Sequence, residues 1–404
     1  MSILSGIKVL DFSHYIAGPF CSQMLGDHGA DVIKVEQIGG ETGRIAKPFH
    51  QDESLYFAVQ NRNKRALSIN LKSNEGQEIV SKLVENSDIL ITNYGAGVPE
   101  RLGIDFETIS NINPEISMIH ITGFGLNGPY KNHRAYDGII QNMSGIASMT
   151  GHPDGPPTIV GTYIADHLAG LQAALGAMIA LFHRERTGKG IFIDVSMLDS
   201  MLSMLGHRLS EVITTGVEHK RNGNRDLRSF CTTLPTLDGF VYIAPLTPKM
   251  WEDFCTLINK EEWFSTYSPY STSAGRLEHR DVLEREITEW TKQFTKKEVF
   301  EMLQQVGIAS GPVNTLKDIA NDTHVKERDM IRKIKVHSGE EIFVNGVPIK
   351  IKDHSLPEFT PPPRIGEHST DILADIGYST EKINHLLENG VISSYKQGNI
   401  PLHK

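Results

Sequence analysis

The alternation of short apolar segments with amphipathic helical segments constrains the fold of this 404-residue chain more than any other feature. Residues 7–12 predict a strand, residues 17–26 a helix and residues 31–36 a second strand. Strand, helix and strand in such close succession are typical of a βαβ unit, and these units form parallel sheets. Further strands are predicted at residues 65–70, 88–92 and 116–122. The sequence therefore predicts an α/β domain built on a doubly wound parallel sheet.

The loops that follow these strands are the expected binding region, because a doubly wound sheet binds ligands beyond the carboxyl ends of its strands. Glycine-rich loops occur at residues 37–44 and 123–130. Neither contains the G-x-G-x-x-G fingerprint and the chain has no P-loop, so a Rossmann dehydrogenase or a nucleoside triphosphatase is poorly supported. The basic run at residues 60–65 has two interpretations, an anion-binding site or an ordinary solvated surface.

A long apolar helix is predicted from Asp166 to Arg186, with a C-cap signal at Gly188. An acid in the first turn lies at the positive end of the helix dipole, which favours its ionised form. On spacing alone, Asp166 is more simply an acid that stabilises its helix, and the alternative is a functional carboxylate. Gly161 and Gly170 lack side chains, so a ligand backbone could approach on either side of Asp166.

Size, charge and cysteine content limit the class of protein. A chain of 404 residues exceeds the usual limit of a single core, so two domains are expected. A formal charge of −9 argues against a nucleic-acid partner. The N-terminus has no signal-peptide pattern, and no uninterrupted apolar stretch approaches membrane-spanning length. The three cysteines show neither metal-ligand nor disulfide spacing, so we expect a cytoplasmic protein with no metal site and no membrane partner.

Several short motifs resemble, in their order along the chain, the family III CoA-transferases of the CaiB/BaiF type. This family includes formyl-CoA transferase and carnitine CoA-transferase. Its signature region is similar to residues 157–166, 184–190 and 194–197. The other matching motifs are Ala17-Gly-Pro19, Gly29-Ala-Asp-Val-Ile-Lys-Val-Glu36, Asn61-Arg-Asn-Lys64, Asn93-Tyr94, Arg101-Leu-Gly103, Thr122-Gly-Phe-Gly125, Gly307-Ile-Ala-Ser-Gly-Pro-Val313 and Gly366-Glu-His368. The resemblance covers nearly the whole chain.

The resemblance implies a particular domain organisation. Residues 1–218 would form a large CoA-binding, Rossmann-like domain with a parallel sheet. Residues 219–330 would form a smaller α/β domain with linkers, and residues 331–404 a C-terminal segment that returns to the large domain. The resemblance further implies ring-shaped subunits that interlock as a homodimer.

The resemblance also implies a reaction, the transfer of CoA from an acyl-CoA donor to a small carboxylic acid. Asp166 would be the nucleophile and would carry anhydride and thioester intermediates. CoA and acyl-CoA would be substrates, with no tightly bound cofactor. The implied CoA contacts are Ile16, Ala17, Gln37, Arg44, Ile69, Leu71, Lys72, Asn93, Tyr94, Gly95, Arg101, Thr122, Gly123, Phe124 and Gly125. Gln37 and Thr122 stand where formyl-CoA transferase has basic residues, and Arg44, Lys64 or Arg65 is the expected compensating cation.

Two other functions remain open at this point. The superfamily includes α-methylacyl-CoA racemase, which pairs the aspartate with a histidine that moves a proton. Tyr136 occupies that histidine's position here and His133 lies three residues before it; since tyrosine is a poor base at neutral pH, CoA transfer is favoured. A CoA-binding module without catalysis is the third possibility, and the intact motif around Asp166 argues against it.

The motifs do not define the donor or the acceptor acid. The glycine-rich loop of formyl-CoA transferase has no counterpart near residues 222–224, which disfavours oxalate as the acceptor. A short-chain dicarboxylate is preferred, and Arg134, Arg225 and Arg228 are candidate partners for its second carboxylate.

Overall fold

The computed structural model describes residues 2–395, and it divides the chain into two compact units. The first unit comprises the residues up to 146, residues 160–211 and those from 326 onward; the second comprises residues 147–159 and 212–325. The sequence placed the divisions after residues 218 and 330. Residues 147–159 group with the second unit because the Gly223 N–H donates to the Gly151 carbonyl at 3.0 Å and the Arg221 guanidinium to the Gly155 carbonyl at 2.7 Å.

The strands are β1 Lys8–Asp11, β2 Asp31–Glu36, β3 Phe49–His50, β4 Glu53–Ser54, β5 Lys64–Ile69, β6 Ile89–Thr92, β7 Ser117–Thr122, β8 Phe192–Ser196, β9 Thr232–Pro235, β10 Phe240–Ala244, β11 Ala309–Pro312, β12 Ile331–Lys335, β13 Glu341–Asn345 and β14 Ile392–Ser393. The helices are α1 Ala17–Asp27, α2 Leu55–Asn61, α3 Asn74–Glu85, α4 Val98–Arg101, α5 Phe106–Ile112, α6 Asp137–Met143, α7 Ile146–Met149, α8 Ile164–Thr187, α9 Met197–Ser203, α10 His207–Thr215, α11 Pro248–Leu257, α12 Ser273–Glu278, α13 Arg280–Thr291, α14 Lys296–Gln305, α15 Leu316–Asn321, α16 Thr323–Glu327, α17 Ser369–Asp375 and α18 Thr380–Glu388. Short 3-10 helices span Thr42–Ile45 and Glu261–Phe264.

The first unit is organised on a seven-stranded sheet with the order β14-β5-β2-β1-β6-β7-β8. All neighbouring strands from β5 to β8 are parallel, as the sequence predicted, and β14 pairs antiparallel with β5. Along the chain, β2 and β5 are added on one side of β1, and β6, β7 and β8 are then added on its other side. This reversal creates a topological switch point between β1 and β6, where a doubly wound fold opens a crevice for a ligand.

Apolar layers cover both faces of this sheet. One layer contains Ile79, Leu83 and Ile109 together with Ile372 and Leu386 of the C-terminal helices. The other layer contains α1, α8 and α9 and is rich in alanine along α8. The C-terminal segment therefore completes the core of the first unit, and it ends in β14 at the edge of the sheet, where Ile392 pairs with Ile69.

Helix α8 begins two residues before Asp166 and ends, as predicted, at Gly188, whose φ is +68°. Its alanines pack inward, whereas its larger apolar side chains form an exposed stripe of Leu171, Leu175, Ile179 and Phe182. Within residues 2–395 it is the one helix long and apolar enough, by length and composition, to cross a membrane, and His167 and Gln172 interrupt its apolar residues. The buried alanine face is typical of a core helix packed on a sheet.

Two predicted elements are shorter in the structure. The pattern of residues 197–213 predicts one helix, but the structure divides it into α9 and α10, with Gly206 at a φ of +56° between them. The pattern of residues 341–350 predicts one strand, but β13 ends at Asn345, after which Gly346 packs against backbone: a Cβ there would lie 1.9 Å from the Asp329 carbonyl oxygen. Pattern alone does not reveal such backbone contacts.

The second unit contains a three-stranded antiparallel sheet with the order β11-β10-β9. Helices α11, α13 and α14 cover it around an aromatic core in which the rings of Trp251 and Trp263 stack 6.0 Å apart. The sequence pattern predicts a strand at residues 239–244 and helices at residues 248–257, 280–294 and 296–306, which correspond to β10, α11, α13 and α14, but it does not predict β9 or β11. The residues Ala309-Ser-Gly-Pro312 form an edge strand that lacks the alternation of an ordinary strand.

Candidate active site

A cavity of about 650 Å³ lies at the switch point of the first unit. The loops after β1, β6 and β7, the segment before α6 and the start of α8 surround it. Its lining includes Ala17, Asn93, Tyr94, Gly95, Thr122, Gly123, Phe124 and Asp166 among the predicted site residues. Residues far apart in the sequence therefore meet in one crevice, at the edge of the sheet where binding was predicted.

The remaining predicted site residues lie elsewhere in the first unit. Ile16 and Gly125 directly adjoin lining residues, Ile69 is buried in the core, Leu71 packs against it, and Lys72 and Arg101 are exposed. Gln37 and Arg44 line a second cavity of about 490 Å³. The predicted set thus divides into a group around Asp166 and a group outside its cavity.

The three cations expected to compensate for Gln37 and Thr122 are all held by carboxylates. Arg44 donates to both oxygens of Glu36, at 2.8 and 2.6 Å. Lys64 is buried against Asp11 at 3.0 Å, and Arg65 pairs with Asp31 at 2.7 Å. Lys64 is thus an ion-pair partner in the core and Arg65 one near the surface, and the anion-binding interpretation of the basic run stays a prediction.

Asp166 is the electrostatically unusual group in the cavity. Burial, which disfavours the charged form, and the negative charge of Asp137 together raise the pKa of Asp166 to about 7. A hydrogen bond from the Ala17 backbone acts in the opposite direction. The expectation that the helix dipole would favour an ionised Asp166 is thus outweighed, because the dipole effect is small beside burial next to a like charge.

The absence of a side chain at Gly170 allows the start of α1, and with it Ala17, to lie close to Asp166. A Cβ on Gly170 would lie 2.6 Å from the Ala17 carbonyl oxygen, so a side chain there would push the start of α1 away from α8. The glycine predicted to admit a ligand backbone instead admits the chain's own backbone. The close approach of α1 and α8 places the Ala17 N–H at the carboxylate one helical turn earlier.

Asn93 holds the loop that leads into α1. Its side-chain oxygen accepts from the His14 N–H at 2.9 Å and its amide donates to the His14 carbonyl at 2.7 Å. Lys34, fully buried, donates to the Ser13 carbonyl at 3.0 Å. The Asn93 side chain is therefore occupied by this loop, which leaves its backbone for the predicted contact with CoA.

The glycine-rich loop after β7 is rigid for identifiable reasons. The Gly125 N–H donates to the Thr122 hydroxyl at 2.9 Å, and the Leu126 N–H donates to the Asp194 carboxylate at 3.0 Å. A Cβ on Gly123 would lie 2.2 Å from the Ala135 Cβ, so the loop packs directly against the segment before α6. This packing fixes one wall of the cavity.

Asp137 and Gln141 of α6, which the sequence pattern does not single out, contact the segment that leads into Asp166. Asp137 accepts the Ala165 N–H at 2.7 Å, immediately before Asp166, and accepts from the Gln141 amide at 2.7 Å. An acid at the start of a short helix, followed one turn later by a glutamine, was the available signal. It was not distinctive without the contact to α8.

His133 and Tyr136 both line the cavity, which bears on the racemase alternative. The His133 ring packs 5.2 Å from the ring of Tyr130 and 6.2 Å from that of Phe124. Tyr136 is 63% exposed.

Within residues 2–395, no group of three or more His, Cys, Asp or Glu side chains could hold a metal ion.

The fold and the cavity define a doubly wound α/β protein with a half-buried carboxylate of raised pKa at the edge of its sheet. The chain belongs to CoA-transferase family III, whose model matches residues 4–369. The resemblance seen in the sequence is thereby confirmed, and the chain is an enzyme of the CoA-transferase type.

Individual relatives match over almost their full length. The chain is 33% identical over 420 residues to a formyl-CoA:oxalate CoA-transferase of Rhodopseudomonas palustris (strain BisA53), with 96% of this chain and 97% of that protein covered. It is 32% identical over 391 residues to a succinyl-CoA:mesaconate CoA-transferase of Haloarcula marismortui, with 94% and 98% covered. A CAIB/BAIF family protein from Brucella suis has a similar solved structure, with a TM-score of 0.85, 33% identity and coverages of 93% and 99%.

Proposed function

We propose that this enzyme transfers CoA from an acyl-CoA to a carboxylic acid, with Asp166 as the covalent nucleophile. The observation that carries the proposal is the state of Asp166: a carboxylate with its pKa raised to about 7, facing a cavity walled by glycine-rich loops. A more basic carboxylate is a better nucleophile, and a substantial fraction is still ionised at neutral pH.

The reaction proceeds by balanced acyl exchanges. The Asp166 carboxylate attacks the thioester carbonyl, the C–S bond breaks, and CoA leaves as a thiolate from an aspartyl anhydride. The thiolate attacks the aspartyl carbonyl, releases the donor acid and leaves an Asp166–CoA thioester. The acceptor carboxylate attacks this thioester, and the released thiolate then takes the acceptor's acyl group and frees Asp166. Covalent catalysis divides one difficult transfer into steps of similar energy, with no net proton uptake.

The cavity supplies groups for binding the substrates. Ala17, Thr122, Gly123 and Phe124 offer backbone around Asp166, and backbone N–H groups stabilise the oxyanions of acyl transfer. We propose that CoA extends from this cavity and contacts Tyr94 and Gly95. The other predicted CoA contacts, including Gln37, Lys72 and Arg101, remain predictions, and we propose no tightly bound cofactor.

A short-chain dicarboxylate is the proposed acceptor. The names of two relatives each include a dicarboxylate, which is oxalate in one and mesaconate in the other. Lys131 and Arg134 lie in the lining of the Asp166 cavity and provide cations for a second carboxylate. Arg225, a candidate from the sequence, is paired with Asp281 and Glu284 instead.

We also propose a cytoplasmic, interlocked homodimer of ring-shaped subunits. The exposed apolar stripe on α8, which contains Leu175 and Phe182, supports an interface with a second copy, because stripes of this kind are buried in stable dimers. Light scattering coupled to gel filtration would test the dimer. A monomeric mass at micromolar concentration would exclude it.

Racemisation of a 2-methylacyl-CoA is the second candidate function, because His133 lines the same cavity as Asp166. A racemase needs two acid/base groups on opposite sides of the α-carbon. Tyr136, at the position of the racemase histidine, argues against this chemistry, so CoA transfer is preferred.

Intact-protein mass spectrometry after incubation with a panel of acyl-CoAs, including succinyl-CoA, tests the proposal. Wild type should gain an acyl- or CoA-sized adduct that hydroxylamine removes. Asp166→Asn should gain none, whereas the matched control Asp253→Asn, in a surface pair with Lys249, should behave as wild type. If no adduct forms and the α-proton of a 2-methylacyl-CoA exchanges with solvent deuterium, the enzyme is a racemase.

A further inference from the structure

Two side chains of α6 bind the segment that leads into Asp166. One oxygen of Asp137 accepts the Ala165 N–H at 2.7 Å, and its other oxygen accepts from the Gln141 amide at 2.7 Å. The Gln141 carbonyl oxygen accepts the Val160 N–H at 2.8 Å, and its amide also lies 3.3 Å from the Thr162 carbonyl. Both ends of residues 160–165 are therefore tied to one turn of α6. We call Asp137 and Gln141 the α6 clamp.

The orientation of the α6 clamp is dictated by its chemistry. Gln141 is completely buried, and Asp137 is 7% exposed. The Val160 N–H can only donate a hydrogen bond, and an ionised carboxylate can only accept one. The Gln141 side chain must therefore turn its NH2 group toward Asp137 and its carbonyl oxygen toward Val160. A buried polar side chain left without its partners is costly, so the clamp holds one geometry.

We propose that Asp137 and Gln141 are positioning residues for the nucleophile: they fix the first turn of α8, and Asp137 keeps a negative charge beside Asp166. The proposal rests on the proposed role of Asp166 as the nucleophile. Although Asp137 lines the Asp166 cavity, the proposed role of the α6 clamp does not involve a bond to substrate. It acts through the backbone of Val160 and Ala165 and through the electrostatic field at the Asp166 carboxylate.

The charge of Asp137 has a consequence for the covalent cycle. Two neighbouring carboxylates repel each other, and the repulsion ends when one of them becomes neutral. Asp166 becomes neutral as an anhydride or a thioester, so Asp137 favours the covalent intermediates over the free carboxylate. The effect agrees with the contribution of Asp137 to the raised pKa of Asp166.

Other ionisable groups also line the Asp166 cavity. Tyr56 comes from α2, and Tyr163 precedes Asp166 on its own segment. The remaining groups in the lining are His14, Tyr15, Tyr94, Lys131, His133, Arg134, Tyr136 and Asp137. Of these, Asp137 is the one whose charge contributes to the raised pKa of Asp166.

Two variants test the charge of the clamp and its hydrogen bonds. Asp137→Asn removes the charge and keeps an oxygen for the Ala165 N–H, but its NH2 group then faces that of Gln141, so the bond between these two side chains is lost. Gln141→Leu removes the hydrogen bonds and keeps the charge. Carbon-13 NMR of aspartate-labelled protein, with the Asp166 signal assigned by its loss in Asp166→Asn, measures the titration of Asp166 without turnover.

Asp137→Asn should lower the titration midpoint of Asp166 from near 7 to about 6 or below, since removing a like charge favours ionisation. Gln141→Leu should leave the midpoint near that of wild type but slow adduct formation roughly tenfold at saturating acyl-CoA, because a misplaced nucleophile loses orientation. An unchanged midpoint in Asp137→Asn, or an unchanged rate in Gln141→Leu, would overturn the proposal. If one variant does not fold, the other decides the matter alone.

The failure of this proposal is distinguishable from that of the proposed function. If wild type forms no covalent adduct, Asp166 is not the nucleophile, and the proposed function fails whatever the midpoints are. If wild type forms the adduct and neither variant shows its expected change, only the role of the α6 clamp fails. Thermal unfolding of each variant, compared with that of Asp253→Asn, identifies any general loss of stability.

Discussion

Two aspartates at the same edge of the sheet, Asp11 fully buried and Asp166 half-buried, have opposite surroundings. Asp11, at the end of β1, accepts from Lys64 at 3.0 Å and Ser22 at 2.6 Å, and a second lysine, Lys34, lies nearby. Asp166, at the start of α8, has the carboxylate of Asp137 as its charged neighbour. Burial raises the pKa of both carboxyls, but the two lysines and the serine hydroxyls bring that of Asp11 well below its ordinary value. The pKa of Asp166 stays raised, at about 7.

The difference shows how one fold assigns structural and chemical roles to the same residue type. A carboxylate with compensated charge is stable and unreactive, so Asp11 suits the task of holding the Ser13 loop and α1 together. A carboxylate beside a like charge is stabilised when its own charge is removed, and acylation removes that charge. Perturbed groups without compensation are characteristic of functional sites.

The largest effect that would sharpen this comparison is on activity. Asp166→Asn should reduce CoA transfer by about 10⁴-fold or more, because removing a covalent nucleophile leaves only binding and orientation. Its fold should be intact, since the substitution relieves a repulsion. Steady-state transfer between succinyl-CoA and a dicarboxylate panel, together with circular dichroism, measures both. Residual transfer within tenfold of wild type would show that Asp166 is not the nucleophile.

The second effect is on stability and should appear at Asp11. Asp11→Leu should lower the free energy of unfolding by about 3–5 kcal/mol, because Lys64 would lose its buried carboxylate partner, whereas Lys34 would keep Glu41. Asp31→Asn is the matched control: Asp31 pairs with Arg65 near the surface, and such pairs contribute up to about 1 kcal/mol. Urea denaturation of both variants gives the two values. Equal losses would contradict the distinction between a buried network and a surface pair.

Much of the fold could be predicted from the sequence because periodicity reports local structure. The alternation of strands and helices correctly predicted β1, α1, β2 and the helix that ends at Gly188. The short strand β11 lacked such a pattern, and the division between α9 and α10 depends on a glycine in a left-handed conformation. Local sequence carries little information about either feature.

The site could be predicted only in part, because its electrostatics arise from pairings across the fold. Asp166 and the glycine-rich loop were recognisable from their motifs. The basic run looked like an anion site because nothing nearby in sequence shows that Lys64 meets Asp11, 53 residues earlier. The α6 clamp was missed for the same reason, since its contacts cross from one helix to the start of another.

The pH dependence of covalent chemistry is a third test of the comparison. Adduct formation should rise roughly tenfold between pH 6 and pH 8, because the ionised fraction of a group with a pKa near 7 rises by that factor. Single-turnover mass spectrometry at limiting acyl-CoA measures the rate at each pH. The Asp137→Asn variant should move the rise toward lower pH. A rate independent of pH over this range would mean that Asp166 has an ordinary pKa in the working enzyme.

The smallest effect is on the pH dependence of stability, and its sign follows from the two pKa directions. Since the folded-state pKa of Asp166 is raised, the folded protein holds a proton between about pH 4 and pH 7 that the unfolded chain releases, so stability falls as pH rises through that window. The pKa of Asp11 is lowered, so its contribution is complete above about pH 4 and is lost only at more acidic pH.

Asp166→Asn removes the first contribution and keeps the second. Its melting temperature should match that of wild type below about pH 4 and exceed it by several degrees at pH 8, because each unit by which the pKa is raised corresponds to about 1.4 kcal/mol. The lowered pKa of His14, about 4, makes both proteins gain stability between pH 4 and 6.5, so it cancels in the difference. Calorimetry of both proteins at each pH measures that difference. If it does not grow with pH, the folded protein tolerates an ionised Asp166 as readily as it tolerates Asp11, and the two aspartates are electrostatically equivalent.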